Sequence, residues 1–378
     1  MAEYLRRMPN DGQSFAHTRS VWAIVKLDPS LLLLLLTLCS IGFVTLTSAV
    51  DGDPGVLLRQ SVYLGLGFVV MVVAAQIPIY IYSRWAPRFY LVGILALFLV
   101  LLMGTGAKGA QRWISLGAFR FQPSEIMKLA VPLTVAWYLA KRTLPPNPKY
   151  VAATLILVAT PAFLIFMQPD LGTAILVATA GLLVLFLSGL SWRYVGFALI
   201  LLVSALWPLW AYFLRDYQKQ RVLTLFNPES DRLGAGWNII QSKTAIGSGG
   251  WSGKGYLEGT QALLDFLPES HTDFIIAVLA EEQGFRGILA LMLVYLLICL
   301  RCLWISYNAS SMYGRLVGAS ITMTFFVYIV VNMGMVAGIL PVVGVPLPLV
   351  SRGGTSIVTL LAGFGILMAI SQDKRPLN

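Results

Sequence analysis

Residues 31–50 read LLLLLLTLCSIGFVTLTSAV, an unbroken run without a charge. At about 1.5 Å of helical rise per residue, such a run crosses the roughly 30 Å hydrocarbon core of a bilayer. A polar segment of about 30 residues precedes it and no small-residue cleavage site of the usual kind follows, so it reads as a retained span rather than a signal peptide. Nine further apolar segments lie downstream, near 61–82, 89–105, 122–140, 150–167, 171–189, 194–214, 274–300, 317–337 and 355–371. Composition agrees. Of 378 residues, 57% are hydrophobic and 12% charged, against about 25% charged in a typical soluble domain. The expected fold is therefore an all-α polytopic membrane protein of about ten transmembrane helices, forming one domain over 1–378. Its parts are a tail at 1–30, a long polar loop at 215–273 between helices 7 and 8, and a short tail at 372–378.

Lys and Arg near the span ends set the orientation. With the N-terminus in the cytoplasm, fourteen such residues fall inside and five (Arg59, Lys108, Arg112, Arg120, Arg352) in short outer loops. An even number of spans then returns the C-terminus to the cytoplasm and puts the 215–273 loop outside. The net charge of +10 is mostly this bias, so no nucleic-acid partner is needed to explain it. The outer cations are joined by others in the long loop, among them Arg221, Lys243 and Lys254. Cations on a face that does not require them point to an anionic ligand such as a phosphate, or to lipid headgroups.

Cys39 lies in the first span, and Cys299 and Cys302 at the end of a later one. With only His17 and His271 in the chain, they make a poor zinc site.

Polar groups inside spans cost roughly 3 kcal/mol each on insertion scales, so each needs a reason. At the fourth segment, Gln122-Pro123-Ser124-Glu125 precedes Lys128. Glu125 and Lys128 share a helix face. They are either a structural ion pair or part of an outward polar cavity that also draws on Arg112 and Arg120. In the eighth segment Glu282 and Arg286 are four apart, the spacing of a self-neutralising pair.

The long loop carries a probable helix near 238–245 and glycine-rich stretches that allow close approach to a ligand. It ends Phe266-Leu267-Pro268-Glu269-Ser270-His271-Thr272-Asp273. Thr272 or Asp273 fits as the N-cap of the eighth span. An acid there also fits as a general base at the membrane surface, with Glu258, Asp265 and Glu269 as rivals. The last outer loop, residues 338–355, is apolar yet rich in Gly and Pro. Such backbone at membrane depth must be covered by protein or line a wet cavity.

Several motifs, in order and spacing, resemble the SEDS family (shape, elongation, division and sporulation). They are Gly109-Ala110-Gln111-Arg112-Trp113-Ile114, Gln122-Pro123-Ser124-Glu125, Gln168-Pro169-Asp170-Leu171-Gly172-Thr173, Lys254-Gly255, the 266–274 stretch and residues 344–354. The 338–346 stretch and the short tails look like the family's elongation branch rather than its division branch. The resemblance implies a peptidoglycan glycosyltransferase that polymerises lipid II with release of undecaprenyl pyrophosphate, in the bacterial cytoplasmic membrane. It implies Asp273 as the catalytic acid–base residue. It also implies Arg59, Arg112, Arg120, Glu125, Lys128 and Asp170, with the loop cations Lys243 and Lys254, as cavity or pyrophosphate-binding residues. The implied partners are a class B penicillin-binding transpeptidase (penicillin-binding protein 2) and other membrane proteins of the elongation complex. No cofactor or metal ligand set is identifiable, and assistance by Mg2+ at the pyrophosphate stays open.

One departure is recorded: where the family usually has Val-Ser-Tyr-Gly-Gly-Ser, this chain has Val350-Ser351-Arg352-Gly353-Gly354-Thr355. The competing expectation is a lipid II flippase, which would need alternating inner and outer cavities. An ion-coupled transporter would show inverted repeats with paired broken helices, and none are visible.

Overall fold

The computed structural model describes residues 26–373 apart from 104, 108–109, 117–118, 215, 232–233, 264–265 and 268. The side chains of Arg112 and Arg120 lie outside the described residues, as does Asp265. All ten apolar segments are helices: α1 (Pro29–Ala49), α2 (Pro54–Gln76), α3 (Ile79–Met103), α4 (Pro123–Ala140), α5 (Pro148–Met167), α6 (Leu171–Leu187) and α7 (Trp192–Pro208) come first. Four short helical pieces follow in the long loop: α8 (Asp216–Phe226), a 3-10 turn (Pro228–Asp231), α9 (Ala235–Gly249) and α10 (Thr260–Leu263). The last three spans are α11 (Ile275–Tyr307), α12 (Met312–Val336) and α13 (Gly354–Gln372). Among the described residues, eight helices are long and apolar enough to cross a membrane by length and composition. The 17-residue α6 is a shorter apolar helix, and the 18-residue α4 carries Glu125 and Lys128. The chain is a multi-pass membrane protein.

Side-chain caps fix the starts of α1 and α2, and some starts differ from the expected boundaries. Asp53 accepts from Gly55 N (2.8 Å) with Pro54 at the first position, so α2 begins seven residues before the apolar run expected at 61. Helix α3 begins ten residues before its expected start at 89 and takes in Arg84 and Arg88; the Arg88 guanidinium lies 4.9 Å over the Trp85 ring. Long cationic stems can run along a helix in this way while the charge reaches water. Asp28 caps α1 through Leu31 N (2.9 Å) and also takes an ion pair from Arg301 (2.6 Å), tying the start of α1 to the end of α11.

Between α3 and α4 lie three short antiparallel strands, β1 (Thr105–Ala107), β2 (Ala110–Leu116) and β3 (Phe119–Phe121), paired in that order. The stretch expected as a short outer loop is therefore partly sheet. Helix α2 packs closely on α13. A Cβ on Gly365 would stand 2.4 Å from Met71 O, so the two backbones nearly touch, as small residues permit in membrane helices. By contrast, none of the described side chains in the apolar window of the Trp192–Tyr212 helix is buried.

Two irregular segments shape the end of the bundle that carries the 209–274 segment. Residues 338–353 run without helix, yet Val345, Leu347, Leu349, Val350 and Ser351 are buried. Their polar backbone is answered by protein: Tyr295 Oη donates to Pro348 O (2.7 Å), and Leu347 N donates to Ser351 Oγ (2.8 Å). The second is a break in α11 at Gly284 (φ 65°, ψ −162°). It corrects the expected Glu282–Arg286 pair: four-residue spacing brings side chains together only on a continuous helix. Glu282 instead accepts from Ser48 Oγ of α1, and Arg286 is exposed.

Candidate active site

Asp273 precedes α11 but does not cap it. The N-cap position is Phe274, and no side chain supplies a cap hydrogen bond there. The expectation that Thr272 or Asp273 caps this span is therefore corrected: the turn closes on Glu269 O, which accepts from Thr272 N and Phe274 N at 3.2 Å each. Thr272 Oγ1 is committed to Glu269 Oε2 (2.8 Å). The Asp273 carboxylate is left to face a cavity of about 260 Å3.

Three segments build that cavity. The α5–α6 hairpin supplies Pro169, Asp170, Leu171 and Gly172; α8 supplies Gln218, Arg221 and Val222; the irregular segment supplies Pro341, Val342, Val343 and Gly344. The buried Asn332 of α12 holds the floor. Its Nδ2 donates both to Asp273 O (2.8 Å) and to Val345 O (2.7 Å), joining the acid's backbone to the irregular segment. Gly344 has φ 74°, a backbone conformation that favours glycine, and a Cβ there would lie in ordinary contact with Asp273 Oδ2 at 3.5 Å.

The electrostatics suit a base. Burial, reinforced by the nearby Glu269 charge and partly offset by Arg221, pushes the Asp273 carboxyl up from 3.8 to about 6. His271 moves the other way: burial and the Arg352 cation lower it, against Glu269. Arg352, the departure from the family pattern, also donates its backbone N–H to His271 O (3.1 Å), beside the segment that carries Asp273.

The remaining expected site residues fall into separate places. Asp170 lines the cavity, caps α6 through Thr173 N (3.3 Å) and accepts from Gln122 Nε2 (3.3 Å). Gln122 directly precedes α4. Within that helix Glu125 and Lys128 form a buried ion pair (2.6 Å), with Thr359 Oγ1 donating to Glu125 (3.1 Å) and the ammonium 4.9 Å over the Tyr328 ring. This cluster adjoins a small space of about 30 Å3 among α4, α12 and α13, distinct from the cavity at Asp273. Arg59 is exposed on α2 and Lys243 on α9, the latter beside Gly338. Lys254 is ion-paired with the buried Glu281 (2.6 Å) and is not among the cavity residues.

Two polar lining residues were not singled out by the sequence as part of a site. Arg221 had counted only as a loop cation and Gln218 not at all. The short polar helix α8, acidic at its start and carrying both residues, was the available signal.

A carboxyl pushed up to about 6, a cation lining the same cavity and an irregular wall make a candidate acid–base site at one end of a membrane bundle. The whole-chain comparisons agree with that architecture. Residues 23–376 match the cell cycle protein family FtsW/RodA/SpoVE, and the chain belongs to this family, the SEDS family. It is 51% identical over 360 residues to the peptidoglycan glycosyltransferase MrdB of Escherichia coli K12, covering 95% of this chain and 97% of that protein. It is 34% identical over 371 residues to a probable peptidoglycan glycosyltransferase FtsW of Idiomarina loihiensis, covering 93% and 88%. Among solved structures, one chain of a peptidoglycan synthase complex that coordinates polymerization and crosslinking superposes with a TM-score of 0.80 at 33% identity, over 92% of this chain and 98% of that one. The rod shape determining protein RodA of Thermus thermophilus superposes at 0.70 and 30% identity, over 92% and 97%.

Proposed function

We propose that Asp273 is the general base with which this chain polymerises lipid II. The chain is a peptidoglycan glycosyltransferase, as its relatives are across nearly their whole length. The observation that carries the assignment of Asp273 is its free carboxylate. It is unspent on a cap, turned into a partly enclosed cavity, and pushed up to about 6 beside Arg221.

In the step, Asp273 takes the proton from the sugar 4-hydroxyl of one lipid II as that oxygen attacks the anomeric carbon of the growing chain's reducing-end sugar. The bond from that carbon to the pyrophosphate oxygen breaks, and undecaprenyl pyrophosphate leaves with the electron pair. Arg221 faces the charge that develops. Because the leaving group is already activated, holding the hydroxyl in line and removing one proton supply most of what is required. Arg59, Arg112, Arg120 and Lys243 are assigned to guiding the anionic headgroup, and the Glu125–Lys128 pair to holding the wall behind Asp170.

The fourteen-to-five distribution of cations supports placing both termini in the cytoplasm and the cavity at the outer face of the cytoplasmic membrane. A class B penicillin-binding transpeptidase is the assigned partner, which would crosslink the strands made here. Purified protein with that partner and lipid II is expected to yield glycan strands, and the Asp273→Asn protein none while it still binds the partner. Strand synthesis by Asp273→Asn at the wild-type rate would sink the proposal.

A further inference from the structure

The break at Gly284 leaves backbone groups unpaired within α11, and another part of the chain answers them. The Glu281 and Glu282 carbonyls accept from Lys254 N (2.9 Å) and Gly255 N (3.0 Å). In return, Phe285 N and Arg286 N donate to Gly250 O (2.9 Å) and Trp251 O (3.3 Å). Residues 250–255 thus form a strap laid into the break, and they fit only as glycine-rich backbone. A Cβ on Gly253 would stand 2.0 Å from Glu282 O, and one on Gly284 2.3 Å from Gly253 N.

Within this joint the Glu281 side chain has no solvent exposure. Its carboxylate accepts from Lys254 Nζ (2.6 Å), Thr260 N (3.0 Å), Thr260 Oγ1 (2.9 Å) and Gln261 N (3.1 Å). Gln261 O in turn accepts from Leu267 N (3.1 Å), and Leu267 O from Ser270 N (3.1 Å), three residues before Asp273. Glu281 and Asp273 therefore stand at opposite ends of the same short helical piece, 275–283. The loop that joins them through space is rooted on the Glu281 carboxylate.

We infer that Glu281 is a positioning residue for Asp273, and that Lys254 acts as the counter-ion of Glu281 rather than as a ligand of the pyrophosphate. This rests on Asp273 being the base. A carboxylate fully out of water needs its charge matched and its lone pairs filled, and Lys254, Thr260 and Gln261 do both. Removing either ion loosens the root of the 260–273 segment, and with it the direction of the Asp273 carboxylate. Displacements on the order of 1 Å at a reacting group cost about a hundredfold in rate.

The test uses the full chain with its transpeptidase partner and lipid II as substrate. Glu281→Gln and Lys254→Met are each expected to lower kcat about tenfold or more with KM within about twofold of wild type, because positioning rather than uniform binding is lost. The double variant is expected to be no slower than the slower single one, since both act through one joint. Lys254→Arg keeps the pair and is expected near wild type. Hydrogen exchange over 260–273 should quicken in Glu281→Gln while α12 is unchanged, and the acid limb of the rate profile should move to lower pH as Asp273 gains water. Losses that multiply in the double variant, or a Lys254→Met defect confined to KM, would overturn the inference in favour of a phosphate role. Thr260→Val removes one hydroxyl donor and avoids an unpaired buried charge. It is expected to fold and to lose about threefold in kcat; wild-type kcat in Thr260→Val would also overturn the inference. If Asp273→Asn polymerises normally, the assignment of the base fails. Unchanged exchange at 260–273 in Glu281→Gln fails the positioning role alone.

Discussion

Asp273→Asn is expected to abolish polymerisation and at the same time to stabilise the protein at neutral pH. The folded carboxyl lies at about 6 against an ordinary 3.8, so folding favours the protonated form. The sign follows directly. This contribution to stability is fully present below about pH 4, is lost as pH rises through 6, and leaves the ionised group as a net cost at pH 7.5. The difference is roughly two units, which at about 1.36 kcal/mol per unit bounds the cost near 3 kcal/mol; partial exposure of the side chain reduces it. Asparagine keeps the shape and removes the charge, so it recovers that cost, as substitutions at strained catalytic sites often do. Thermal melts in detergent at pH 7.5 should show Asp273→Asn above wild type, with the gap closing at pH 4.5. The rate profile of the wild type should carry an acid limb near pH 6, falling about tenfold per unit below it. Glu269→Gln should move that limb to lower pH, because Glu269 is the charge that helps burial raise it. An Asp273→Asn protein that melts at or below wild type at pH 7.5 would refute the claim that the carboxylate is held in an unfavourable environment.

Arg221→Gln should shift the acid limb to higher pH, since this cation opposes the rise at Asp273, and should lower the plateau rate as well if Arg221 faces the leaving group as proposed; a plateau at the wild-type value would remove Arg221 from the reaction. Lys128→Met leaves the buried Glu125 unpaired and should destabilise by about 3–5 kcal/mol, whereas Glu125→Gln combined with Lys128→Met should recover most of it in thermal melts. Gly253→Ala sets a Cβ 2.0 Å from Glu282 O at a backbone φ of 80°, and should lower the melting temperature and quicken hydrogen exchange across 281–286. Asn332→Ala removes both donations that tie Asp273 O to Val345 O; kcat should fall by about tenfold or more while partner binding persists, as the floor of the site loosens.

How much of this was legible depended on whether the cause was local. The spans were legible because a charge-free run of about 20 residues has few alternatives. Their starts were less so, because Asp53 with Pro54 extends α2 past the polar Arg59 and Gln60. The three strands escaped notice because strands of three to seven residues carry little periodicity. The 338–355 segment was expected to wall a cavity, and Pro341 to Gly344 do line one. What escaped was long-range. Gly284 looks like any helical glycine until the strap is seen, and that break separates Glu282 from Arg286. Lys254 meets a carboxylate 27 residues away, so its sign was readable in the sequence but its partner was not. Arg221 reaches Asp273 only because α8 folds back over the α5–α6 hairpin.

A general base working near neutral pH faces two opposed demands: it must hold a proton strongly enough to take one from a hydroxyl, yet stand empty before it does. An exposed aspartate near 3.8 is empty but weak; one buried alone is strong but occupied. Here burial and Glu269 raise the group while Arg221 restrains it, and about 6 leaves it mostly ionised at pH 7 with much of the basicity that burial confers. The helix beside it bears on the same balance. Had Asp273 capped α11, the backbone N–H groups would have stabilised the carboxylate and drawn it toward the ordinary range. The cap position falls instead on Phe274, and the turn closes on Glu269 O. Forgoing that cap leaves the carboxylate facing the cavity and raised above the ordinary range, the two properties the proposed base requires.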